Sequence, residues 1–231
     1  MTGPAGTEVR GRGGLPESDQ GVRRHFDRWA RSYDRSWLNE LAFLPALRVC
    51  QEEIIRWQTW RGWRPFRLLD VGCGTGRLLE RLSGQPDAEL LVGLDYSPAM
   101  IQRAAQKLGP LRSAKKLRLV LGDAHRLPFA EQSFDVVTCC HSFHHYPNQA
   151  QVIAGFARVL RPGGLLLIVD GFRDNVIGWV VFDVGVATIE RNVHHASWSE
   201  LRRLISAAGF ASLRQRKLNV LAPLLVNIAI R

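Results

Sequence analysis

The run Leu68-Leu69-Asp70-Val71-Gly72-Cys73-Gly74-Thr75-Gly76 limits the fold more than any other stretch, because an apolar strand there passes directly into a glycine-rich turn. Glycines at alternate positions let the main chain turn sharply and let a ligand approach the backbone where no Cβ stands. A helix that follows such a turn points its first N–H groups at the ligand and favours a carboxylate or another anion. The dinucleotide fingerprint G-x-G-x-x-G needs a glycine where this chain has Arg77. The spacing is therefore G-x-G-x-G, which argues against a nicotinamide cofactor.

Four further apolar runs repeat the pattern. Residues 90–94 end in Asp95, about twenty residues beyond the turn, where a carboxylate can accept both hydroxyls of a ribose. Residues 117–121 lead into Gly122-Asp123-Ala124, and residues 134–140 lead into the loop His141-Ser142-Phe143-His144-His145-Tyr146. Residues 164–170 follow Arg161-Pro162-Gly163. Strands alternating with helical segments predict an α/β fold with a doubly wound parallel sheet, whose ligands collect at the carboxyl ends of the strands.

Outside this core, Val22, Phe26, Trp29 and Tyr33 recur at helical spacing and predict an amphipathic helix over 19–34. A second helix is expected over 40–60, with Pro45 near its first turn or at a kink. Ser197-Trp198-Ser199-Glu200 has capping-box spacing, so a helix should start there and stop at Gly209. Residues 210–218 and 220–230 read as a closing antiparallel pair.

A chain of 231 residues that is 46% hydrophobic suits one well-buried domain. Residues 1–18, rich in Gly, Pro, Arg and Ser, read as a disordered lead-in without the apolar core of a signal peptide, and residues 19–231 as the domain. No apolar run reaches the length of a membrane span. Cys50, Cys73, Cys139 and Cys140 have no disulfide-framework or zinc-ribbon spacing, which suits a reducing cytoplasm. The net charge of +10 invites a nucleic-acid partner. Its distribution argues against one: the arginines crowd residues 10–35 and otherwise scatter, with few aromatics interleaved as a stacking platform.

Taken together, LLDVGCGTG (68–76), GLDYSPAMI (93–101), GDAHRLPF (122–129), FDVVTCCHSFHH (134–145) and RVLRPGG (158–164) stand in the order of one known family. The chain resembles the class I S-adenosylmethionine (SAM)-dependent methyltransferases over residues 22–231, in the branch that includes the quinone-biosynthesis C-methyltransferases and many small-molecule methyltransferases. The resemblance implies a Rossmann-like, seven-stranded, mostly parallel sheet with an antiparallel closing strand and an amino-terminal helical cap (19–62). It implies SAM as cofactor. Asp70 and the turn Gly72, Cys73, Gly74 and Gly76 would lie along its methionine portion, Asp95 on the ribose diol, and Asp123 with the Ala124 amide on the adenine edge. Met100 would pack on the adenine face, Tyr33 would close from the cap, and Tyr96 and Cys140 would complete the cofactor-binding set.

The loop after the fourth strand should open beside the transferable methyl. A base is wanted there if the acceptor must lose a proton, and imidazole titrates in the right range, so His144 and then His145 are the catalytic candidates. The apolar segment 174–196 reads as an acceptor-site insertion, and His141, Phe143, Trp179, Phe182, His194 and His195 are expected to line the acceptor pocket. No metal is expected, since Cys139 and Cys140 are consecutive strand residues that point to opposite faces. The reading is methyl transfer to oxygen or carbon of a small, fairly apolar acceptor such as a phenolic, polyketide, quinone or lipid-like molecule. A nucleic-acid methyltransferase and a non-catalytic SAM-binding regulator are the alternatives. Against the former, Cys140-His141-Ser142-Phe143 stands where base-amine methyltransferases carry an Asn/Asp-Pro-Pro-Tyr-like motif.

Overall fold

The computed structural model describes residues 37–112, 116–171, 196–219 and 223–231. Helix α1 (Trp37–Arg61) leads into β1 (Phe66–Val71), α2 (Arg77–Leu82), β2 (Ala88–Asp95), α3 (Pro98–Arg112) and β3 (Leu117–Leu121). Then come β4 (Phe134–Cys140), α4 (Gln149–Val159), β5 (Leu160–Gly171), α5 (Trp198–Ala207), β6 (Ser212–Asn219) and β7 (Pro223–Ile230). Among the described residues the strands form one seven-stranded sheet in the order β3-β2-β1-β4-β5-β7-β6. Strands β1 to β5 pair in parallel, while β7 runs antiparallel to both β5 and β6.

Both faces of the sheet are covered, which explains why its central strands are apolar nearly throughout. Alternation along each strand divides the core in two. Leu69, Val137, Cys139, Leu166 and Ile168 pack with Val152 and Phe156 of α4 and Leu201 and Ile205 of α5. Leu68, Val136, Leu165, Leu167 and Val169 pack with Cys50, Ile54 and Trp57 of α1, Leu79 of α2 and Leu108 of α3. Polar side chains at the sheet's other end tie the same elements: Asp135 accepts from Arg67 N at 2.9 Å and pairs with Arg161 at 2.9 Å, and Trp57 Nε1 donates to Gly163 O at 3.1 Å. A buried Glu53 holds Arg56 at 2.7 Å and Arg214 at 2.5 Å, joining α1 to edge strand β6.

Several sequence expectations meet the observed boundaries closely. Ser197 Oγ accepts from Glu200 N at 3.1 Å and caps α5, and Gly209 follows the helix at φ +81°. The expected 40–60 helix instead begins at Trp37, so Pro45 lies inside it rather than in its first turn. Strand β5 starts at Leu160, four residues before the predicted run, because Leu160 pairs with Phe134 ahead of a register shift in the β4–β5 ladder. The predicted 19–34 helix, the 1–18 lead-in and nearly all of the 174–196 insertion lie outside the described residues.

Candidate active site

Strand order reverses between β1 and β4, and the crevice at their carboxyl ends is where open α/β sheets place ligands. The glycine turn enters it from β1. Gly72 N and Cys73 N both donate to Leu94 O, at 2.8 and 3.1 Å, so the end of β2 holds the turn in place. Gly72 has φ +71°, and a Cβ there would collide with the Ser142 side chain from the loop after β4. At Gly74, φ is +53° and nothing among the described residues lies within 4 Å of the place a Cβ would take. Gly76, at φ +79°, forms the N-cap position of α2.

Two carboxylates flank the open side of the turn. Asp95 accepts from Gly74 N at 2.8 Å and from Ser97 N at 2.9 Å, which fixes both its oxygens while leaving the residue partly exposed. Asp70 is 3% exposed, pairs across the ladder with Thr138 and accepts from its hydroxyl at 2.7 Å. Burial pushes the Asp70 carboxyl up to about 7; the Thr138 hydrogen bond opposes the shift and the Asp95 charge adds to it. Burial likewise holds the Cys73 thiol well above its ordinary value.

On the far side, the loop after β4 arranges its side chains around Asp170 at the end of β5. Asp170 is 3% exposed, and its Oδ1 lies 2.6 Å from His144 Nδ1 while Oδ2 accepts from His144 N at 2.9 Å. Gly171 N donates to the same carboxylate at 2.7 Å, so the carboxyl group is held from three directions. His145 stands against His144 with ring centroids 4.0 Å apart. His141 takes φ +52°, and burial lowers its pKa to about 4 against the Asp170 charge, with His144 acting in the same direction as burial. It is therefore neutral at physiological pH.

The structure thus brings Asp70, the glycine turn, Asp95, Cys140, His141, His144 and His145 to one end of the sheet. Tyr96 follows directly on Asp95. Met100 is 3% exposed, its N–H donating to Ser97 Oγ at 3.2 Å in the first turn of α3. Asp123 caps the short turn Ala124–Arg126, accepting from His125 N at 2.8 Å, with Ala124 buried behind it. Phe143 departs from expectation: at 1% exposure it sits in the core beside α4, edge-on to Tyr146, and supports the loop from beneath instead of lining a pocket. Tyr33, Trp179, Phe182, His194 and His195 lie outside the described residues. Asp170 is the residue that sequence reasoning missed. Its signal was an acidic residue closing an apolar strand, the same one that singled out Asp95.

Among the described residues no group of three or more His, Cys, Asp and Glu side chains could hold a metal ion. The donor set instead suits SAM: carboxylates for an ammonium and a diol, a glycine turn open at Gly74, and apolar Met100 and Ala124 nearby. Residues 69–168 match the family described as the methyltransferase domain. The match runs from β1 into β5 and takes in Asp70, the glycine turn, Asp95, Asp123 and the histidine loop.

The chain is 39% identical over 123 residues to a demethylmenaquinone methyltransferase of Deinococcus radiodurans, covering 48% of this chain and 49% of that one. It is 38% identical over 104 residues to a 27-O-demethylrifamycin SV methyltransferase of Amycolatopsis mediterranei, covering 45% and 38%. The chain spans about half or less of the length of these two relatives. In fold it is similar to a magnesium protoporphyrin IX methyltransferase from Synechocystis, solved with bound SAH, at a TM-score of 0.70 and 18% identity over 92% of this chain and 99% of that one.

Proposed function

We propose that the protein is a SAM-dependent methyltransferase that acts on oxygen or carbon of a small, fairly apolar acceptor, with His144 as general base and Asp170 as its positioning residue. The observation that carries the reading is the 2.6 Å contact between His144 Nδ1 and Asp170 Oδ1, one strand across from the glycine turn. A proton on Nδ1, donated to Asp170, makes Nε2 the basic nitrogen of the ring. The carboxylate fixes the imidazole's orientation and stabilises the imidazolium that forms when Nε2 takes the acceptor's proton. Neutral His141 adds no competing positive charge.

Bound SAM supplies an activated methyl group on a sulfonium, so the protein's share of the work is largely alignment and proton removal. Asp70 and the turn would hold its amino-acid end, Asp95 the ribose diol, and Asp123 with Ala124 the adenine edge. In this reading residues 19–62 are a cap, residues 174–196 an acceptor-site insertion, and 19–231 one domain, with Tyr33 on the cofactor and Trp179, Phe182, His194 and His195 on the acceptor. The relatives named for a quinone and a rifamycin acceptor support a small-molecule substrate over a nucleic acid. We infer a cytoplasmic setting from the free thiols of Cys50, Cys73, Cys139 and Cys140. No helix among the described residues is long and apolar enough to cross a membrane.

The test is a screen of hydroquinones, phenols and polyketide alcohols for release of S-adenosylhomocysteine, followed by comparison of variants on the best acceptor. His144→Ala should lower kcat by about a hundredfold to ten-thousandfold, with cofactor affinity unchanged. Asp170→Asn should lower kcat and shift the acidic limb of the pH–rate profile. Near-normal turnover in both variants would refute the base assignment, and calorimetry without heat from S-adenosylhomocysteine would refute the reading as a whole.

A further inference from the structure

The strand that presents the histidine loop ends in two cysteines, and alternation gives them different surroundings. Cys139 turns toward α4, where its sulfur lies 3.1 Å from Ser142 Oγ. Cys140 turns to the opposite face, toward α1, and its Sγ lies 3.1 Å from Cys50 Sγ. Cys50 belongs to the interior of α1 and is fully buried, whereas Cys140 closes β4 at the ligand end of the sheet and is partly exposed. A covalent S–S bond is about 2.0 Å long. Only about 1 Å of approach therefore separates this contact from a bond between residues that stand 90 positions apart in sequence.

We propose that Cys50 and Cys140 are an oxidisable dithiol, which a peroxide entering at the ligand end of β4 converts to a disulfide that fastens α1 to the sheet beside the cofactor site. The step divides in two. Cys140 attacks one peroxide oxygen, the O–O bond breaks, and hydrogen peroxide leaves a sulfenic acid on Cys140 and one water. Cys50 sulfur then attacks Cys140 Sγ, the S–S bond forms, and the sulfenic oxygen departs with two protons as a second water. Two thiols lose two electrons and two protons; one peroxide takes up both and is reduced to two waters. Cys140 is the more exposed of the two residues, which sets the order, and the contact makes Cys50 the resolving thiol.

The surroundings also set the rate. The hydrogen bond with Cys50 and then burial hold the Cys140 thiol well above its ordinary value, and thiolate is the reactive form. Oxidation is accordingly slow near neutrality and quickens as pH rises. Cys73 and Cys139 are buried with their sulfurs against Gly74 O and Ser142 Oγ, so they offer no equivalent resolving step.

The experiment uses the full chain, hydrogen peroxide as oxidant, and neither cofactor nor acceptor, so its outcome is independent of the methyltransferase reading. Intact mass should fall by two hydrogens, faster at pH 8.5 than at pH 7, and return on treatment with dithiothreitol. A non-reducing tryptic map should join peptide 49–56 to peptide 127–158, and the link should vanish in Cys50→Ser and Cys140→Ser while persisting in Cys139→Ser. Closing so long a loop should also raise the melting temperature, by roughly 5–15 °C. Oxygen addition at Cys140 without a cross-link, a link through Cys139 or Cys73, or no reaction while the protein stays folded would each overturn the proposal.

Discussion

Replacing Asp70 with Asn should stabilise the cofactor-free protein above neutral pH while weakening its hold on the cofactor. The carboxyl is buried between β1 and β4 and moves from 3.8 to about 7 on folding. At about 1.4 kcal/mol per tenfold change in proton affinity, ionised Asp70 costs the folded state about 4 kcal/mol. The sign follows from which state binds the proton more tightly, and here it is the folded one. The stability contributed by protonated Asp70 is present in full below about pH 4 and is lost as pH rises through 7. Asn cannot ionise and keeps an oxygen to accept from Thr138. The melting temperature of Asp70→Asn should therefore exceed that of wild type at pH 8 by as much as about 10 °C, and the gap should close toward pH 4. Melting curves at half-unit steps from pH 4 to 8.5 measure this directly, since the difference between the two proteins cancels the titration of every other group. Calorimetry with S-adenosylhomocysteine should meanwhile show affinity reduced at least about tenfold, from loss of a charge-assisted bond to the ammonium. Parallel pH profiles, or an Asn variant less stable than wild type at pH 8, would refute the argument from burial.

Three further outcomes are expected. Asp95→Ala should cost roughly 1.5–3 kcal/mol of cofactor binding, because both the expected diol contact and the anchor on Gly74 N disappear; titration calorimetry reads it, and unchanged affinity rejects the assignment. His141 behaves oppositely to Asp70: its pKa is lowered to about 4, so its contribution is present above about pH 6.5 and lost as pH falls through 4, and His141→Gln should remove up to about 3 kcal/mol of acid sensitivity in melts over that window. Glu53→Ala should destabilise by about 1–3 kcal/mol in denaturant titration, less than a fully buried ion pair, because its partners Arg56 and Arg214 are more than half exposed, Arg216 at 3.4 Å is also partly exposed, and all three can return to water; Lys107→Ala, whose partner Glu80 is exposed, should change stability little in the same titration.

Much of the architecture was legible in local pattern. Apolar runs marked β1 to β4, because a parallel strand covered on both faces must be apolar along most of its length. Ser197 and Glu200 announced the start of α5, since a cap is a contact between near neighbours. The glycine turn was equally plain: positive φ at Gly72, Gly74 and Gly76 is a demand on single residues. Asp95, which spacing from the turn suggested for a ribose diol, accepts from Gly74 N.

What local pattern left open is whatever depends on the register between distant strands. Nothing near Phe143 in sequence foretold a core position, which follows from how the short turn after β4 lies over α4. The pairing of His144 with Asp170 across 26 residues requires β4 and β5 to run in parallel with Cys140 opposite Val169, so that the loop after one strand meets the end of the other. Cys50 meets Cys140 because α1 packs on the same sheet face that alternation assigns to Cys140. Residue type and spacing can say which groups a sheet's end will carry, since those are properties of one segment. Which groups touch is set by packing among several segments, and only the folded arrangement decides it.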